Sequence, residues 1–184
     1  IGNIGRLVSW KGQKYLIEAF IQLLPKYNNL KLLLIGDAIF ENDNYYKLLK
    51  KIVKQNDLKS KVIFSGHLTN LEKVYPIIDI YVHSSIGKDT SPLSLLGAMA
   101  SGRPIVAVDI PGIEELIEHN NNGIVVKPRS PEKLVHGISQ LIRDINLRCQ
   151  MGQINSKIAA NYFSIEAYIK RYQNELLNTF SLNN

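Results

Sequence analysis

The chain has 184 residues, about one domain's worth, and its 45% hydrophobic and 21% charged residues match an ordinary globular domain. Against 16 Asp and Glu stand 22 Lys and Arg, a net charge of +6 that favours anionic ligands or surfaces but falls far below a dedicated nucleic-acid arm. A single cysteine, Cys149, excludes an internal disulfide framework and a Cys-based zinc cluster, which makes a reducing compartment, by default the cytosol, the expectation.

No apolar run approaches the ~18–20 residues of a membrane span, and the N-terminus lacks the charged-then-apolar pattern of a secretory signal. The chain opens on Ile1-Gly2-Asn3-Ile4-Gly5 without an initiator Met, so we expect a piece of a longer protein. In chain order, β-branched runs predict strands at residues 4–8, 30–35, 62–65, 80–84, 105–108 and 124–126, alternating with segments of helical period. Leu16, Ile17, Phe20, Ile21 and Leu24 share one helical face, as do Leu48, Leu49, Ile52 and Val53. This alternation predicts an α/β fold with a parallel six-stranded sheet and helices packed on it. Helix then dominates from Pro131, with Ser130 as N-cap, in two stretches, 131–162 and 165–180, the second capped by Ser164.

Five segments bear on binding. In Gly5-Arg6-Leu7-Val8-Ser9-Trp10-Lys11-Gly12 a strand end, a turn and a helix start carry two cations, Arg6 and Lys11. Beside the unpaired N–H groups of a helix N-terminus they would suit a diphosphate; two solvated basic residues are the simpler alternative. The segment is neither G-x-G-x-x-G nor a Walker loop. Residues 84–102 place a polar loop with Asp89 after a strand, followed by a small-residue helix that Pro92 or its neighbour opens and Gly102 ends. The amides around Ser91, Pro92, Leu93 and Ser94 form a second potential anion site, since ligands of open parallel sheets sit beyond the carboxyl ends of strands. Asp109 to Glu115 predicts another strand-to-helix turn, whose acids the helix dipole alone would explain. His67, after the strand at 62–65, is weak evidence by itself; His83, His119 and His136 lack metal-site spacing, and no metal is assigned. Lys47, Lys50, Lys51 and Lys54, with Lys59 and Lys61 following, form a basic stripe that reads as a solvated helix face or, alternatively, a contact for anionic lipid or nucleic acid.

In order and spacing these segments resemble the C-terminal, donor-binding half of retaining glycosyltransferases of the GT-B fold, the group 1 or family 4 enzymes. The residues that carry the resemblance are Gly5-Arg6-Leu7 with Lys11-Gly12, Leu34-Ile35-Gly36-Asp37, residues 62–67, residues 79–85, Ala98-Met99-Ala100-Ser101-Gly102-Arg103-Pro104-Ile105-Val106 and Gly123-Ile124-Val125-Val126. The resemblance implies half of a GT-B fold, Rossmann-like with helices on both faces, whose N-terminal acceptor-binding domain is missing here. It implies a nucleotide-diphosphate sugar as donor, with Arg6 and Lys11 on the diphosphate, amides near Ser91, Pro92, Leu93 and Ser94 assisting, and His67 and Leu68 near the base. It implies no cofactor, no metal and no nucleic acid, an acceptor such as a glycan or lipid-linked sugar, and peripheral membrane contact through the parent protein as an open possibility.

The departure falls on the family's paired glutamates: alignment puts Asp89 at the first, where it would contact the sugar, and Gly97 at the second, where the family uses a carboxylate on the ribose hydroxyls. Losing hydrogen bonds to a charged group costs about 1.5–3 kcal/mol, and a glycine inside a helix about 1 kcal/mol. A non-catalytic module that binds a nucleotide diphosphate or serves assembly therefore stays open beside a hexosyltransferase inactive as an isolated fragment. So does another GT-B enzyme, an epimerase or a phosphorylase.

Overall fold

The structure, a computed structural model, describes residues 1–38, 44–87, 89 and 92–181. Six strands, β1 (Gly2–Ile4), β2 (Leu32–Ile35), β3 (Val62–Phe64), β4 (Tyr81–His83), β5 (Ile105–Val108) and β6 (Ile124–Val126), form one sheet in the order β3-β2-β1-β4-β5-β6. All five pairings are parallel. Every residue of β1, β4 and β5 is buried, which requires cover on both faces of the sheet. Helices supply it: α1 (Gln13–Leu23) packs with α2 (Asn44–Gln55) and α4 (Pro131–Arg143), and α3 (Leu93–Ala100) packs with α5 (Ile145–Ile158).

Strand order reverses between β1 and β4. The chain builds outward from β1 through β2 to β3, then returns to add β4 on the other side of β1. At such a switch point the two adjacent loops diverge and leave a crevice beyond the carboxyl ends of the strands. Those loops comprise residues 5–12 and, after β4, the described residues 84–87 and 89.

The expected strand at 4–8 lies instead at Gly2–Ile4, where Gly2 pairs with Leu33 and Tyr81. Residues 5–8 leave the sheet, and Val8 N–H turns back onto Arg6 O. Leu7 still fills the core at 1% exposure, so the apolar alternation reported burial rather than pairing. Gly12 adopts φ 69°, and a Cβ there would lie 2.0 Å from Ser84 O; glycine alone lets the β1 loop press against the backbone of the β4 loop and start α1.

The expected helical stretch 131–162 is divided. Asp144 takes an extended conformation, and its side chain accepts from Leu147 N–H at 2.9 Å, ending α4 and capping α5. A π-helical turn, Ala159–Phe163, then leads to α6 (Ile165–Ser181). Ser130 and Ser164 act as the expected caps, accepting from Lys133 N–H and Ala167 N–H. The turn at 109–115 does not open a helix. Ile113 is buried instead, and Glu114 folds back to accept from Gly112 N–H at 2.9 Å.

Candidate functional site

Arg6 lies exposed beyond β1, and a 3-10 turn, Ser9–Lys11, carries Trp10 and Lys11. The Arg6 guanidinium carbon lies 5.6 Å, and Lys11 Nζ 4.6 Å, from the centroid of the Trp10 ring, so both cations gather around one indole. Their backbones are tethered from below. Gln13, fully buried, donates from Nε2 to Arg6 O at 2.9 Å; Ser84 Oγ donates to Lys11 O at 2.8 Å; Ile86 N–H donates to Trp10 O at 2.8 Å. Asn3, buried on β1, donates to Val82 O at 2.8 Å and to Ser84 Oγ at 3.3 Å, which ties β1 to the start of the β4 loop. These bonds fix the two loops as one rigid ledge.

Asp89 closes that ledge. Its Oδ2 lies 2.5 Å from Lys11 Nζ, 2.9 Å from His83 Nε2 and 2.9 Å from Ser85 Oγ. His83 and Ser85 are 2% and 1% exposed. Burial alone would raise the carboxyl's pKa, but the donors His83, Lys11 and Ser85 together hold it well below the usual carboxylate range. A carboxylate only accepts, so His83 turns a protonated Nε2 toward it. His83 Nδ1 is left buried without a hydrogen-bond partner among the described residues. Lys11 and Asp89, 78 residues apart, are thus adjacent, and Lys11 already holds an anion.

The other candidates lie around this centre. His67 is exposed and Leu68 half-buried on the loop after β3. Pro92 is the N-cap of α3 and offers no N–H; its carbonyl accepts from Leu95 and Leu96, so an anion at this end would meet the first-turn amides of Leu93 and Ser94. Leu93 is exposed and Ser94 half-buried. Ser91 lies outside the described residues. Gly97, in the middle of α3, sits under Tyr75: a Cβ there would lie 2.3 Å from the phenol oxygen. That phenol, 5% exposed, donates to Ser94 O at 3.0 Å, and burial pushes its pKa up to about 12, so it remains a donor at neutral pH. Space for a side chain at position 97 is therefore taken by Tyr75.

Sequence reading missed Trp10, His83, Ser85, Gln13 and Tyr75 as parts of the site. The signal for His83 and Ser85 was their place on either side of Ser84 at the end of a buried strand next to the switch point. Trp10 was detectable as the single tryptophan between two candidate cations. Among the described residues no group of three or more His, Cys, Asp or Glu could hold a metal ion, and no helix is long and apolar enough to cross a membrane.

A parallel doubly wound sheet with paired cations and a carboxylate at its switch point belongs to the Rossmann-like nucleotide-binding class. Within that class the chain is a member of the group 1 glycosyl transferases, whose family profile matches residues 1–157, and its domain is of the GT-B type. It is 35% identical over 173 residues to an uncharacterized glycosyltransferase of Methanocaldococcus jannaschii, covering 92% of this chain and 43% of that protein. The structure of Anabaena HepE in complex with UDP and glucose is similar at a TM-score of 0.88 and 28% identity, over 95% of this chain and 47% of that one. The C-terminal domain of the group 1 family protein LpcC from Francisella tularensis matches at a TM-score of 0.80 and 30% identity, over 89% of this chain and 85% of that one. The chain thus spans about half the length of the full-length relatives it matches.

Proposed function

We propose that the chain binds the donor for a retaining glycosyltransferase, one that moves a hexosyl group from a nucleoside-diphosphate sugar to a glycan or lipid-linked acceptor. The carrying observation is the pair Arg6 and Lys11 around Trp10 at the switch point. As the bond between the anomeric carbon and the diphosphate breaks, negative charge grows on the leaving oxygen. Gln13 and Ser84 hold the backbones of Arg6 and Lys11 so that both cations stand on the side where that charge grows. Amides of Leu93 and Ser94 add dipoles from the start of α3. Asp89, next to Lys11, faces the sugar side in this reading, His67 and Leu68 the base, and no divalent ion is required. A relative of this fold bound to UDP and glucose supports the donor class. A second, acceptor-binding domain completes the cleft, in keeping with relatives about twice as long.

Titration of UDP and uridine into wild type, Arg6→Ala and Lys11→Ala tests this reading. Each substitution is expected to weaken UDP by roughly tenfold to a hundredfold, from charged hydrogen bonds of about 1.5–3 kcal/mol, and uridine hardly at all. Equal losses for the two ligands overturn the phosphate assignment.

A second reading, a non-catalytic nucleotide-diphosphate or assembly module, is favoured by one observation: Tyr75 fills the place where position 97 would present a carboxylate. It predicts that wild type, joined to an acceptor half from a relative, binds UDP-glucose yet transfers nothing, and that Gly97→Glu with Tyr75→Ala gains transfer.

A further inference from the structure

The basic stripe of α2 remains outside the donor site. Lys47, Lys50, Lys51 and Lys54 are exposed on a helix, Asn44–Gln55, without an acidic residue. The ion pairs of Lys11 with Asp89 and of Lys14 with Glu18 involve neither Lys50, Lys51 nor Lys54. Beneath the stripe runs a groove of about 500 Å³ between α2 and the edge strand β3. Lys50, Lys54 and Lys59 rim it; Val53, Val62, Ile63 and Phe64 line the rest. Ile63 is 46% exposed although it belongs to a strand, and it also borders the neighbouring cleft, where Ile77 is 70% exposed. Lys50 lays its stem over the groove, with Nζ 4.6 Å from the Phe64 centroid and 5.2 Å from that of Tyr46.

An occupant must therefore offer anionic groups to the rim and apolar groups to the lining. A nucleic acid meets only the first demand. Tyr46 and Phe64 are packed edge to face, 5.7 Å apart at 82°, with Lys50 over both, which leaves no clear ring face for a base to stack on. An anionic phospholipid surface meets both, because phosphates lie at the level of the lysine heads and glycerol and upper acyl carbons just beneath.

We propose that the α2–β3 groove docks this protein on anionic phospholipid bilayers, with Lys50, Lys54 and Lys59 on headgroup phosphates and Ile63 at the acyl boundary. The proposal is independent of the donor site, which occupies the carboxyl ends of β1 and β4.

Co-sedimentation with vesicles of phosphatidylcholine, with and without about one third phosphatidylglycerol, tests it on the whole chain. Wild type is expected to bind the mixed vesicles and not the neutral ones. Lys54→Glu with Lys59→Glu should lower partitioning by roughly 30-fold or more, the weight of two surface lysines, and Ile63→Ser by several-fold. Lys127→Glu with Lys133→Glu, the same charge change beyond β6 at the opposite edge of the sheet, should stay within about threefold, and thermal unfolding verifies that each variant is folded. Loss in the control pair as large as in the groove pair reduces the effect to net charge and overturns the proposal. So does absence of binding, or undiminished binding by the groove pair. A single-stranded RNA oligonucleotide that binds more tightly than the vesicles and loses affinity with the same groove substitutions assigns the surface to nucleic acid instead.

Discussion

Asp89 is the residue on which the site turns, because it competes for the cation that a diphosphate would use. At 2.5 Å its carboxylate neutralises much of the Lys11 charge, while His83 and Ser85 hold the same oxygen in place. Asp89→Asn should therefore raise UDP affinity, roughly tenfold for one charge removed a few ångströms from the phosphates at an intermediate effective dielectric. The same variant should lose about 2 kcal/mol of folding stability at neutral pH, the worth of charged hydrogen bonds at a side chain 12% exposed. That loss has a definite pH signature. The native carboxyl is held below its unfolded value of about 3.9, so the native state binds fewer protons there and the stabilisation is complete only above that value. It disappears as pH falls through the lower native value. Urea unfolding of wild type and Asp89→Asn should give a gap in midpoint that is wide above about pH 5 and narrows below about pH 4; a gap constant down to pH 3 would rule out the carboxylate as its source.

At the scale of elements, α3 carries a conflict between local propensity and packing. Ala at position 97 would add about 1 kcal/mol of helix propensity, yet its Cβ would meet the Tyr75 phenol, and overpacking of a buried contact costs about 1–3 kcal/mol. Gly97→Ala should thus be neutral to destabilising in wild type and stabilising, relative to its own background, in Tyr75→Ala; a double-mutant cycle measured by denaturant unfolding should show coupling of at least about 1 kcal/mol. Additive effects would mean that Tyr75 yields freely.

The same contrast explains what could be read from the chain. Ser130 and Ser164 announce their helices because a cap is a local event over four residues. The buried runs announce β5 and β6 at their observed limits. β1 was misplaced by two residues at its start because apolar spacing at Leu7 records depth in the core, not a ladder partner. The contacts of Lys11 with Asp89 and of Ser84 with the Lys11 carbonyl span more than 70 residues and exist only because β4 is laid beside β1. No window of sequence contains that order, so Asp89 was readable as a carboxylate near the site, and its grip on Lys11 was not.

For the molecule as a whole, the distribution of burial separates what holds the fold from what is left to act. No described side chain of α6 is buried, and Ile165, Tyr168, Tyr172 and Leu177 are 58–74% exposed, while the core runs through the sheet, α1, α3, α4 and α5. Ending the chain after Ser164 should consequently shift the unfolding midpoint by no more than a few degrees; a cooperative loss of the whole fold would place α6 in the core after all. The ledge at the switch point is one-sided in the same way. Arg6 and His67 stand exposed at the carboxyl ends of the strands. Transfer requires the acceptor hydroxyl to be held against the anomeric carbon and water to be kept out, and orientation of a second reactant alone is worth several decades of rate. On the donor-binding reading, this chain by itself should bind UDP while transferring glucose from UDP-glucose to simple saccharide acceptors at least about a thousandfold more slowly than when joined to an acceptor-binding half. Release of radiolabelled glucose and its appearance in product separate hydrolysis from transfer, and rapid transfer by the isolated chain would show that one wall of the cleft suffices.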